Sequence, residues 1–140
     1  MYSSLKPTEA YAKVGIETGV LSANPHKLIL MLFDGALMAV GSAERQMREH
    51  QIAEKGMSIS KAIDIISNGL EASLDMNAGG ELAERLAALY DYMCARLLHA
   101  NIHNDPGALN EVAGLLNEIR SAWQEIADDP AVLSANKAVA

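Results

Sequence analysis

Five aliphatic residues, Ile59, Ile63, Ile66, Leu70 and Leu74, follow one another at steps of four, three, four and four. An α-helix, with about 3.6 residues per turn, puts such a set on one face, whereas a strand would divide it between two. The rhythm returns in Leu82, Leu86, Leu89, Met93, Leu97 and Ala100, and again in Leu109, Val112, Leu116, Ile119, Trp123 and Ile126. A further helix is signalled by Asn24-Pro25, with Asn24 as N-cap and Pro25 at the first helical position, and is expected to run to about Glu49. The second helix is expected to begin near Gly56 to Ser58, the third to end in the polar run Asn101 to Asp105, and the fourth to start at Asp105-Pro106 and stop before Asp129-Pro130. The turn Asp75-Met76-Asn77-Ala78-Gly79-Gly80 is short and tolerates positive φ, so its flanking helices are antiparallel neighbours. These signals predict an all-α, antiparallel up-down bundle of four main helices over residues 23–128, with a mobile N-terminal segment at 1–22 and a flexible tail at 129–140.

The chain has 140 residues, enough for one core without metal or disulfide staples. Half of it is hydrophobic and only 21% charged, which excludes wholesale disorder. Its net charge of -7 and the lack of a basic stripe with interleaved aromatics point away from nucleic acid. Cys94 is the single cysteine and has no internal disulfide partner, in keeping with a reducing compartment. No basic region followed by an apolar run opens the chain, and the stretch Leu28 to Ala43, interrupted by Asp34, reads as too short to span a bilayer. A cytosolic protein without membrane insertion is the expectation.

The first helix is apolar almost all round, with Asp34, Gly41, Arg45 and Arg48 marking a narrow solvent strip. Leu28, Leu32, Ala36, Ala39 and Ala43 suffice for a core, so Met31, Phe33, Leu37 and Met38 are left over. Either that surplus meets a protein partner, or this helix is central in the bundle. On the second helix Ile65 lies opposite the Ile59 to Leu74 stripe, beside the small residues Ala62, Gly69 and Ala72, and reads as the floor of a partner groove. Ile16 belongs to an N-terminal segment with Tyr2, Leu5, Tyr11, Val14, Val20 and Leu21, broken by Lys6-Pro7 and Gly15. That segment is either a displaceable lid or permanent padding.

Catalytic patterns do not emerge. His99 and His103 have the i, i+4 spacing of metal ligands, but two imidazoles leave a zinc site incomplete and no Glu follows His99. No Glu-x-x-His, Cys-x-x-Cys-His, Gly-x-Gly-x-x-Gly or phosphate loop occurs, so no cofactor is expected and the reading is against an enzyme.

The runs Ala10-Tyr11, Asn24-Pro25-His26-Lys27-Leu28-Ile29, Met31-Leu32-Phe33-Asp34-Gly35-Ala36 and Lys61-Ala62-Ile63-Asp64-Ile65-Ile66 resemble the flagellar secretion chaperone family, FliS. Gly79-Gly80-Glu81, Leu89-Tyr90-Asp91-Tyr92-Met93, Arg96-Leu97-Leu98-His99-Ala100-Asn101 and Arg120-Ser121-Ala122-Trp123 continue that resemblance in order, over about Tyr2 to Ile126. It implies a bacterial cytosolic chaperone that binds the disordered C-terminal segment of flagellin, prevents premature polymerisation and presents the cargo to the export-gate membrane protein of the flagellar type III apparatus. It also implies a lid in which Tyr11 covers a hydrophobic cleft. Tyr11 from the resemblance, with Ile16, Met31, Met38 and Ile65 from the helical wheels, are the expected flagellin contacts. Two rivals are an adaptor binding some other amphipathic helix, and a metal-binding bundle that uses His99 and His103.

Overall fold

The computed structural model describes residues 24–126. Tyr11 and Ile16, the lid at 1–22 and the tail at 129–140 lie outside the described residues. Within them the chain forms helix α1, Pro25–Arg48, and helix α2, Ile52–Asp64, which continues as a π-helical segment, Ile65–Glu71. Helices α3, Gly80–His103, and α4, Pro106–Glu125, complete an antiparallel bundle.

The helix boundaries follow local chemistry. The Asn24 side chain accepts from the Lys27 N–H at 2.8 Å, and Pro25 occupies a first-turn position where a proline's missing donor costs nothing. Asp75 Oδ1 accepts from the N–H groups of Asn77 and Ala78 at 3.1 and 2.9 Å, closing the turn, and Gly80 takes φ +54. Asn104 ends α3 in the left-handed conformation, φ 50, and Asp105 at once caps α4 by accepting from Gly107 and Ala108. The second helix starts at Ile52, ahead of the expected Gly56. Lys55 gives the reason, for its Nζ donates to Asn101 O at 3.0 Å and to Asn104 Oδ1 at 2.5 Å, fastening the first turn of α2 to the end of α3.

Helix α1 is central. It packs against α2, the π-helical segment and α4. Leu28, Leu32, Ala36, Ala39 and Ala43 are buried as the pattern predicts, and Phe33, read as surplus, is fully buried too. Asp34, Gly41, Arg45 and Arg48 are all exposed. By length and composition α1 could cross a membrane, contrary to the expectation that this stretch is too short, but half of its most apolar 18-residue window is buried in the bundle.

Ile65 overturns its expected position. It is 0% exposed, in the core with Ile59, Ile66, Leu70 and Leu74. The wheel failed because α2 and its continuation pack against both α1 and α3, which buries a wider arc than one stripe. The small residues do admit another helix, but that helix is α1. A Cβ on Gly69 would stand 3.0 Å from Leu32 Cδ2. The π-helical turn, closed by longer-range backbone bonds than an α-turn, also carries Ile65 and Ile66 inward side by side.

Candidate partner-binding groove

On α3 the inward positions are Ala83, Tyr90, Met93, Leu97 and Ala100. Leu82 was expected in the core stripe, yet it is 56% exposed, and Leu86 is only partly buried. A small alanine therefore takes the core position at this end while Leu82 faces outward and Leu86, one turn on, packs only partly against the core. On α4, Leu109, Val112 and Leu116 are buried, whereas Ile119 and Trp123 only pack against the core and Ile126 is exposed. Between these two helix ends lies an apolar groove of about 370 Å³, lined by Leu82, Leu86, Glu118, Ile119, Ala122, Trp123 and Ile126.

Trp123 is fixed from behind. Its ring stacks on His26 at 4.7 Å between centroids and 11° between planes. The indole Nε1 donates to His26 O at 2.9 Å, and His26 Nε2 donates to Trp123 O at 2.6 Å. This reciprocal pair locks the first turn of α1 to the last turn of α4, and it gives a partner to one of the carbonyls that a helix end leaves unpaired. Arg120 bonds Asp34 at 2.6 Å and reinforces the same α1–α4 seam.

Further apolar surface lies elsewhere. Met38 is 74% exposed on the outer strip of α1, and Met31 is partly buried against the core. Gly56 and Asn101 approach one another where α2 meets α3, and around them Met57, Leu98 and Ile102 are exposed. Neither Met31, Met38 nor Ile65 lines the α3–α4 groove. Sequence reasoning missed Leu82, Leu86 and Trp123 as surface residues because it assigned them to core stripes.

His99 and His103 do come together, with ring centroids 4.5 Å apart, but His99 Nε2 is directed at Asp105, 3.3 Å away. The other oxygen of Asp105 caps α4. Among the described residues no cluster of three or more His, Cys, Asp or Glu is placed to hold a metal. Burial, followed by the nearby charges of Glu71 and Asp91, pushes the Cys94 thiol up to about 11, so it stays protonated at neutral pH and is a poor nucleophile.

Glu71, the last residue of the π-helical segment, shares a hydrogen bond with the carboxyl group of Asp91 on α3. Burial first, then that bond and the Asp91 charge, push its carboxyl from the ordinary 4.5 up to about 7. A raised carboxyl binds its proton more tightly in the folded chain. Its contribution is therefore fully present below about 4.5 and is lost as pH rises through about 7. Glu111 and Asp105 are held below their ordinary values, so their effects fall at lower pH. The urea midpoint should decline from pH 5 to pH 8, and Glu71→Gln should flatten that decline. Parallel profiles for the two proteins would refute this assignment.

The family described as flagellar protein FliS matches residues 7–130. The flagellar secretion chaperone FliS of Salmonella typhimurium is 52% identical over 118 residues, 84% of this chain and 87% of that protein. That of Escherichia coli is 46% identical over 133 residues, covering 95% and 97%. The Bacillus subtilis chaperone is 35% identical over 119 residues, covering 85% and 84%. With its helical bundle and near end-to-end similarity to these proteins, the chain belongs to the FliS family.

Proposed function

We propose that this protein is a flagellin-specific secretion chaperone of the bacterial cytosol. It binds the disordered C-terminal segment of flagellin, blocks premature polymerisation and hands the cargo to the membrane-embedded export gate. The observation that carries the reading is an apolar groove that the described residues form beside their buried core, in a chain of the FliS family. A segment that stays disordered until it packs in a filament exposes an apolar stripe, and a groove between two helices can take that stripe as a third helix. Met38 and Met31 on α1 offer adaptable contacts to the same extended cargo. Residues 1–22, with Tyr11 and Ile16, act as the lid that cargo displaces.

The test is a titration of the full chain with a peptide from the flagellin C-terminus and, separately, one from its central domain. Only the C-terminal peptide should bind, and deleting residues 1–20 should change its affinity by about tenfold, upward where the segment mainly occludes. Absence of binding to the C-terminal peptide removes the chaperone reading. Equal affinity with and without residues 1–20 removes only the lid.

A further inference from the structure

The α3–α4 groove ends where the described chain ends. Ile126 belongs to its lining and is the last described residue, so residues 127–140 start from the groove itself. The family match stops at residue 130 and says nothing of the last ten. Pro130 cannot extend α4 and disfavours helical geometry at Asp129, which makes this pair a place for the chain to reverse. Beyond it Val132, Ala135 and Val139 recur at steps of three and four, the spacing of one helix face. Ten residues reach about 15 Å even as a helix, whereas Ile119 to Ile126 spans about 10 Å, so the segment is long enough to cover the trough.

The charges agree at both ends. Glu118 in the lining and Glu125, seven residues on along the same side of α4, make no ion pair among the described residues. Lys137 is the one cation between Ile126 and the C-terminus. Counted back from Pro130 along the trough, seven residues at helical rise are about 10 Å, which brings Lys137 level with Glu118. At the near end, the first turn of α1 lies against Trp123 through the His26 bonds, carries no acidic side chain and exposes Lys27. Asp128 and Asp129 follow Ile126 by two and three positions and complement it. The stretch ahead of Asn24 is uncharged back to Glu17 and lacks that match.

We propose that residues 131–140 fold back over the α3–α4 groove as an autoinhibitory strap, with Val132, Ala135 and Val139 against the lining and Lys137 toward Glu118. A segment this short binds weakly as a free peptide, but its tether of a few residues holds it at an effective concentration on the order of millimolar. It therefore covers the groove and still yields to a longer amphipathic helix. Only this last consequence, that flagellin displaces the strap, rests on the chaperone reading.

Trp123 lines the groove and is the single tryptophan, so its emission in the full chain reports on the cover. Deleting residues 131–140 should move the emission to longer wavelength and raise acrylamide quenching by about twofold. A synthetic peptide of residues 127–140, added at millimolar concentration to the shortened chain, should reverse both changes. In the full chain, Val132→Asp with Val139→Asp should reproduce the deletion, and Lys137→Glu should reproduce part of it at low salt. All these changes fall outside the bundle core, and unaltered far-UV circular dichroism confirms that the fold is kept. The shortened chain should also bind the flagellin C-terminal peptide several-fold more tightly.

Emission and quenching that stay the same without residues 131–140 overturn the strap. A change on deleting residues 1–20 alone assigns the groove to the N-terminal segment, and a change with protein concentration alone assigns it to a second copy; either overturns the proposal while the chaperone reading stands. A strap response with no flagellin peptide binding supports the strap and removes the chaperone reading. A strap response with unchanged peptide affinity overturns the autoinhibition.

Discussion

Ile65→Glu should abolish the fold. Ile65 is 0% exposed, and the substitution removes a buried aliphatic side chain and puts a carboxylate into the apolar cluster that holds Ile59, Ile66 and Leu70. Losing the aliphatic packing costs about 2–5 kcal/mol, and desolvating the new group adds several more. Against a total stability of about 5–15 kcal/mol for a domain, little remains. Far-UV circular dichroism at 25 °C should show most helicity lost, whereas Ile65→Val should cost only about 1 kcal/mol. Native-like melting of Ile65→Glu would mean that this side chain reaches solvent after all, restoring the partner-groove assignment that the packing overturns.

Lys55→Met should be the next most damaging. The ammonium is 2% exposed and donates to both Asn101 O and Asn104 Oδ1, at the point where α3 ends in a left-handed residue. The site makes chemical sense because the carbonyl end of a helix attracts a cation. Methionine fills similar space but leaves both acceptors without a donor. A charged hydrogen bond contributes about 1.5–3 kcal/mol, and water can meet the freed acceptors because Asn104 is exposed and Asn101 half-buried, so a loss of roughly 2 kcal/mol is expected in urea unfolding. Asn104→Gly, which suits the positive φ but removes the side-chain acceptor, should lose less. A Lys55→Met protein as stable as the parent would show that the clasp contributes nothing.

Much of this bundle was legible in the sequence because helix ends are written in local chemistry. Asn24-Pro25 and Asp105-Pro106 start α1 and α4 where the caps predict, and the short turn at Asp75 to Gly79 makes α2 and α3 antiparallel. Phase was less legible than existence. The stripe through Leu82 and Leu86 has the right period, but Ala83 takes the inward position, and nothing local tells an alanine core contact from a leucine one. Ile65 failed for a related reason, since the burial arc of α2 depends on how many helices surround it. Lys55 gave no warning, because a buried lysine is rare and its acceptors lie 46 and 49 positions along the chain.

The groove was hidden in the same way. Its two walls come from stripes that were each read as core, and the His26–Trp123 lock joins runs 97 positions apart. Both runs, Asn24 to Ile29 and Arg120 to Trp123, were visible as part of the family resemblance, but their contact was not. Met38, which the wheel left outside the core, is 74% exposed. Its solvent strip carries Asp34, Gly41 and Arg45, which gave the wheel a clear outward direction.

Isothermal titration calorimetry of the full chain with the flagellin C-terminal peptide, at three temperatures, tests the central claim most directly. The account predicts saturable binding with a negative heat-capacity change, the mark of apolar surface leaving water, and no heat with a central-domain peptide. No saturable heat with the C-terminal peptide, or equal binding of the central-domain peptide, would contradict it.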